Sequence, residues 1–79
     1  MKYLEHYPNG KVKIQGILLD DQKDGEWLEF FPDGSLKNRK NFCQGIKHGV
    51  FEFYKENGEL DFKLVYNQGR IKISNFKVK

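Results

Sequence analysis

The sequence contains no alanine and no threonine, and only one cysteine, one tryptophan and two prolines in 79 residues. With Cys43 the sole thiol, no internal disulfide can staple the fold, and a reducing, cytoplasmic setting is expected. Long apolar runs are also missing. The longest aliphatic stretch is Ile17-Leu18-Leu19, far short of a membrane span. Met1 to His6 lacks the apolar stretch of a signal peptide. Acidic residues stop at Asp61. Nowhere do apolar residues recur at helical spacing over a useful length.

Hydrophobic residues make up 38% and aromatic ones 15%, which is too much for a disordered chain and enough for one small domain. The net charge of +3 is uneven: Lys63, Arg70, Lys72, Lys77 and Lys79 follow the last acid. A basic end of this kind can serve an anionic partner. Lysines on a terminal strand also discourage edge-to-edge aggregation. The abundance of Lys, Asn, Ile and Phe beside absent Ala and Thr favours that plainer, compositional reading.

The dominant feature is a repeat of 24 residues. Gly10, Gly34 and Gly58 are spaced by it, as are Gly25 with Gly49 and Gly45 with Gly69. Tyr3, Trp27 and Phe51 align at the same step, as do Val12, Leu36 and Leu60. Tyr7-Pro8-Asn9-Gly10 and Phe31-Pro32-Asp33-Gly34 read as hairpin turns in which proline sets φ and glycine takes a positive φ. Glu56-Asn57-Gly58 is the same loop without proline. The second connections, Asp20 to Asp24, Gln44 to His48 and Gln68-Gly69, read as looser. The expected fold is all-β: an antiparallel up-and-down meander of about seven strands in a single curved sheet. Its units are residues 1–22, 23–46 and 47–70, followed by a degenerate cap, 71–79.

"DGEWLEFFPDGSLK" and "HGVFEFYKENGEL" resemble the variant MORN repeat, whose pattern is roughly G-x-W-x-x-Y-Y-x-x-G-x-L. The chain is also similar in spacing and punctuation to the YwqK family of antitoxin-like bacterial proteins. The likeness runs from Tyr3 to about Arg70. Phe51 departs from the pattern in place of tryptophan, Asp21 in place of Gly45 and Gly69, and Ile73 in place of Gly25 and Gly49. The resemblance implies an elongated β-meander used for protein or lipid contact. It implies no catalytic residues.

Turn register assigns two faces, because directly opposed residues share one. Placing Phe30 opposite Leu36, Leu28 opposite Asn38 and Trp27 opposite Arg39, and repeating this in each hairpin, gathers an apolar face. It holds Leu4, His6, Val12, Ile14, Leu18, Leu28, Phe30, Leu36, Phe42, Val50, Tyr54, Leu60, Phe62, Leu64 and Tyr66. Phe30, Leu36, Leu60, Phe62 and Leu64 are its expected core and pairing residues. The other face carries Tyr3, Trp27, Lys37, Arg39, Phe51 and Lys63 as a candidate interaction surface. There Glu5 meets Lys13, Glu29 meets Lys37, and Arg39 and Lys63 lie over Trp27 and Phe51. That surface reads equally as a brace for a thin sheet.

No catalytic, cofactor-binding or metal-ligating set is expected. Ser35 lies in a turn, His6 takes a position that Phe30 and Tyr54 fill elsewhere, His48 replaces Asp24 in a connection, and Cys43 with two scattered histidines is no zinc site. The chain is therefore expected not to be an enzyme. The leading expectation is a protein-interaction module, which the resemblance makes antitoxin-like, pairing with a protein partner or with itself as a homodimer. Anionic phospholipid, met through the basic end, is the alternative. Single-stranded nucleic acid, stacking on Trp27 and Phe51, ranks last because Glu5, Glu29 and Asp61 would repel phosphate.

Overall fold

A computed structural model describes residues 1–75, with side chains from residue 1 to 71. The strands are β1 Lys2–His6, β2 Val12–Leu19, β3 Gln22–Phe30, β4 Leu36–Cys43, β5 Ile46–Lys47, β6 Gly49–Tyr54, β7 Leu60–Asn67 and β8 Arg70–Asn75. All lie in one antiparallel sheet ordered β1-β2-β3-β4-β6-β7-β8, with β5 pairing β4. The meander and the single sheet are as expected. The eighth strand arises because His48 interrupts the unit that β3 spans without a break, leaving β5 and β6.

At one end of the sheet, three wide loops repeat one design. Tyr7, Phe31 and Lys55 each donate their N–H to the carbonyl four residues on, and receive a bond from the glycine of the loop. Asn9, Asp33 and Asn57 each accept the N–H two residues ahead through Oδ1, at 2.8, 2.8 and 2.9 Å. These side chains do locally what the ladder does elsewhere, which is why Asx residues recur there. At the other end the connections are tighter than the sequence suggested. Asp20-Asp21, Gln44-Gly45 and Gln68-Gly69 all have positive φ at both positions, the mark of two-residue type I′ hairpins.

The apolar-face assignment from sequence is corrected by a bulge. The first pairs beyond the wide loops are as expected: His6 with Val12, Phe30 with Leu36 and Tyr54 with Leu60. The register then shifts, so that Glu5 pairs Ile14, Glu29 pairs Asn38 and Phe53 pairs Phe62. Lys13, Lys37 and Asp61 are the extra residues, at one position of the repeat. Because side chains alternate along a strand, one extra residue moves everything beyond it to the opposite face. Trp27 therefore opposes Lys40 rather than Arg39, and Phe51 opposes Leu64 rather than Lys63.

One face thus unites Tyr3, Ile14, Leu18, Trp27, Phe42, Phe51, Phe53, Phe62, Leu64 and Tyr66. The reverse face holds Leu4, Val12, Ile17, Leu28, Phe30, Leu36, Arg39, Val50, Leu60 and Lys63. Of the expected core residues, Phe62 and Leu64 are separated from Phe30, Leu36 and Leu60. A further bulge lies between Ile71 and Ile73 in the β7–β8 ladder. The last residues of the cap, 76–79, lie outside the described residues.

The sheet is one layer thick, measuring 39 × 37 × 11 Å. Face-to-face sheets would add about 10 Å more. Burial is correspondingly slight: among the described residues only Trp27, Phe51 and Asn38 are buried, and all three lie on the aromatic face.

Candidate functional site

Over its central strands the aromatic face is covered by its own side chains, while Ile71 at its β8 edge is 55% exposed. Trp27 lies flat against Gly16, where a Cβ would overlap Cδ2 and Cε2 of the indole. Its Nε1 donates to the Ile17 carbonyl at 3.0 Å, and the Tyr3 ring stands 5.3 Å away. Phe51 touches Phe42 at 5.6 Å and Tyr66 at 4.7 Å, while Phe53 stacks on Phe62 at 4.5 Å. Phe42 and Tyr66 stand opposite Gly25 and Gly49, so each ring covers a strand position without a side chain.

Lysines complete the cover: those over the rings are not the expected Arg39 and Lys63, while the Lys13–Glu5 and Lys37–Glu29 pairs are as expected. Lys23 lies 5.0 Å from the Trp27 ring and 5.1 Å from Phe42, and Lys47 lies 5.2 Å from Tyr66. These two lysines are one repeat apart. Lys13 and Lys37, lifted by their bulges, pair with Glu5 at 3.5 Å and Glu29 at 3.6 Å while lying over Tyr7 and Phe31. Exposed pairs and cation–ring contacts of this kind contribute about 0.2–1 kcal/mol each.

The polar spot on this face is Asn38, 6% exposed, which donates to Glu29 Oε1 at 3.0 Å. Partial burial alone would raise the Glu29 carboxyl pKa. The Asn38 bond and the charges of Lys37 and Lys40 outweigh it and hold the group below its ordinary value. Tyr3 is shifted upward, first by its hydrogen bond to Glu5 and then by that group's charge.

The reverse face is built differently. At its centre Arg39 Nε lies 3.6 Å from both Glu26 and Glu52, and Tyr54 donates to Glu52 at 3.0 Å. Burial, followed by that bond, raises the Tyr54 pKa. Around the centre sit uncovered aliphatics: Leu4 is 47% exposed, Ile17 45%, Leu19 53% and Val50 38%. Leu4, Ile17, Val12 and Leu28 line an open hollow of about 350 Å³, with Lys2 and Glu26 at its rim.

The six residues expected to form one interaction surface are therefore divided. Tyr3, Trp27, Phe51 and the bulged Lys37 lie on the aromatic side, with Trp27 and Phe51 at 5% and 2% exposure. Arg39 and Lys63 lie on the aliphatic side, where each joins a row with Glu52. Neither buried ring offers a free platform for a stacking base. Ile17 and Leu19 escaped the sequence reading. Their signal was the run Ile17-Leu18-Leu19, since three consecutive apolar residues in a strand must place at least one on each face. Among the described residues, no group of three or more His, Cys, Asp and Glu side chains could hold a metal ion.

Comparison with known families adds one result: the MORN repeat variant model matches residues 1–18, 23–44 and 47–68. The chain belongs to that family. The matched segments correspond to the repeat units seen as successive hairpins, and MORN repeats are generally modules for contact with proteins or membranes. No curated protein and no solved structure matches the chain. Among the described residues, no helix is long and apolar enough to cross a membrane.

Proposed function

We propose that this MORN-repeat chain is a non-catalytic protein-interaction module whose contact surface is the aliphatic face. The observation that carries this reading is the exposure of Leu4, Ile17, Leu19 and Val50 around the Arg39 charge cluster. Apolar side chains bordered by an arginine and carboxylates make the kind of surface that proteins bury on association. The aromatic face supports the role indirectly, by holding the thin sheet in shape. The resemblance to YwqK-type antitoxins supports a cytoplasmic site of action and, among partners other than a second copy of this chain, a toxin.

The test is affinity capture from the native cells, with the captured protein identified and its binding remeasured with purified components. Leu4→Glu and Ile17→Glu are expected to weaken binding at least tenfold, while Lys47→Gln on the aromatic side leaves it unchanged. Raising salt from 0.15 to 0.5 M should alter it little, because apolar contact is not screened. Binding that requires anionic vesicles, or that collapses with salt, would move the assignment to lipid through the basic end. Loss of binding on Lys47→Gln alone would transfer the contact to the other face.

A further inference from the structure

The occupant of the aliphatic face follows from its charges and its size. The aromatic face carries Lys13, Lys23, Lys37, Lys40 and Lys47 against Glu5 and Glu29, a surplus of positive charge. The aliphatic face alternates instead: Lys2, Arg39 and Lys63 lie among Asp24, Glu26 and Glu52, with Arg70 apart from them on the β8 edge. Two aromatic faces brought together would repel. Two aliphatic faces can complement one another, because Lys2 shares a row with Asp24, and Arg39 and Lys63 share one with Glu52, so that opposite charges can meet across a two-fold axis.

Arg39 is suited to that meeting. Its guanidinium lies beside Glu26 and Glu52 yet is 44% exposed, so it can also meet a carboxylate of a second copy. A face of 39 by 37 Å also exceeds the roughly 800 Å² per partner that a standard interface needs.

We infer that the occupant is a second copy of this chain. The dimer is two-fold and face to face, with Leu4, Ile17, Leu19 and Val50 packed between sheets about 10 Å apart and the Arg39 clusters pairing across the axis. The inference rests on the reading above of this face as a contact surface and names its partner. The aromatic rings of each copy then face outward, shielded by their lysines.

Sedimentation velocity at 5–100 µM chain tests it. The wild type is expected to sediment as a dimer, and Ile17→Glu should raise the dissociation constant at least tenfold. Val50→Glu should do the same, which covers the case in which one variant fails to fold; far-UV circular dichroism and Trp27 emission report folding. Lys47→Gln should leave the dimer intact. A folded wild-type monomer at 100 µM would overturn the inference, as would a dimer indifferent to both glutamate variants or one dissociated by Lys47→Gln. A monomer that still loses a captured protein on Ile17→Glu would end the self-pairing and leave the contact-surface reading standing.

Discussion

At the scale of single residues, the sheet depends on a few positions where backbone and side chain are matched. Gly16 leaves room for the Trp27 indole, and any Cβ there must displace one of the most buried groups in the molecule. Gly16→Ala should destabilise by about 1–3 kcal/mol, the usual cost of overpacking, with altered Trp27 emission; an unchanged denaturation midpoint would contradict this. Asp21 holds φ at 64° in the type I′ turn where the next two repeats use Gly45 and Gly69. Asp21→Gly should therefore raise stability by about 0.5–1 kcal/mol, since glycine adopts that conformation without steric strain.

Glu29 sets part of the acid limit. Its pKa is depressed in the folded state, so its contribution is fully present above the ordinary value of 4.5 and is lost as pH falls through the lower folded value. Glu29→Gln should lower stability at neutral pH and flatten the loss between pH 5 and 3. A variant with the wild-type acid slope would show that Glu29 is not responsible.

At the scale of strands and turns, the repeat unit proves to be a hairpin with an inserted residue. Periodicity, turn chemistry and the first cross-strand pair were all legible in the sequence, because Pro-Asn-Gly and Pro-Asp-Gly dictate a three-residue loop. The bulge was not legible. Lys13, Lys37 and Asp61 share no turn-forming character, and a bulged residue leaves the alternation of its own strand looking regular. The consequence is large: turn register alone gives β3 its correct parity but puts β2, β4 and β7 on the opposite face beyond their first residue. Knowledge that Trp27 and Phe51 need apolar neighbours would have pointed the right way. With the bulge, Ile14, Phe42, Phe62, Leu64 and Tyr66 join them.

The extra residue also makes a prediction available. Deleting Lys37 removes the bulge but keeps Glu29 opposite Asn38 and Trp27 opposite Lys40. It should cost about 1 kcal/mol, from the lost pair with Glu29 and the contact with Phe31. Deleting Lys40 instead sends Asn41 and Phe42 to exchanged faces and should abolish folding. Equal effects of the two deletions, by circular dichroism and urea unfolding, would argue against the bulge. Neighbouring turns are coupled in the same periodic manner. Asp24 Oδ1 accepts the Gln44 N–H and His48 Nδ1 accepts the Gln68 N–H, each at 3.1 Å. A histidine that looked like a stray loop residue is thus the counterpart of an aspartate acceptor.

At the scale of the whole molecule, a single sheet has no common interior, so each hairpin is stabilised by the hairpins beside it. Stability should then vary along the meander as in other repeat proteins, where neighbour contacts dominate. Trp27 and Phe51 lie in β3 and β6, either side of β4, which also carries the buried Asn38. The centre therefore has an ordered layer of rings on one side and the Arg39 cluster on the other. β1 is an edge strand of five residues held by β2, by the Tyr3–Trp27 contact, and by the Tyr7 hydroxyl bonding to the Phe30 carbonyl at 2.6 Å. Comparison should be confined to amides bonded within the ladder, since the outward-facing N–H groups of an edge exchange freely in any case. Within that set, amides of β3, β4 and β6 should exchange at least tenfold more slowly than those of β1, because opening the edge sacrifices one hairpin while opening the centre sacrifices two. Uniform protection from β1 to β7 would mean that the sheet unfolds as one cooperative unit, and the nearest-neighbour account of its stability would then be wrong.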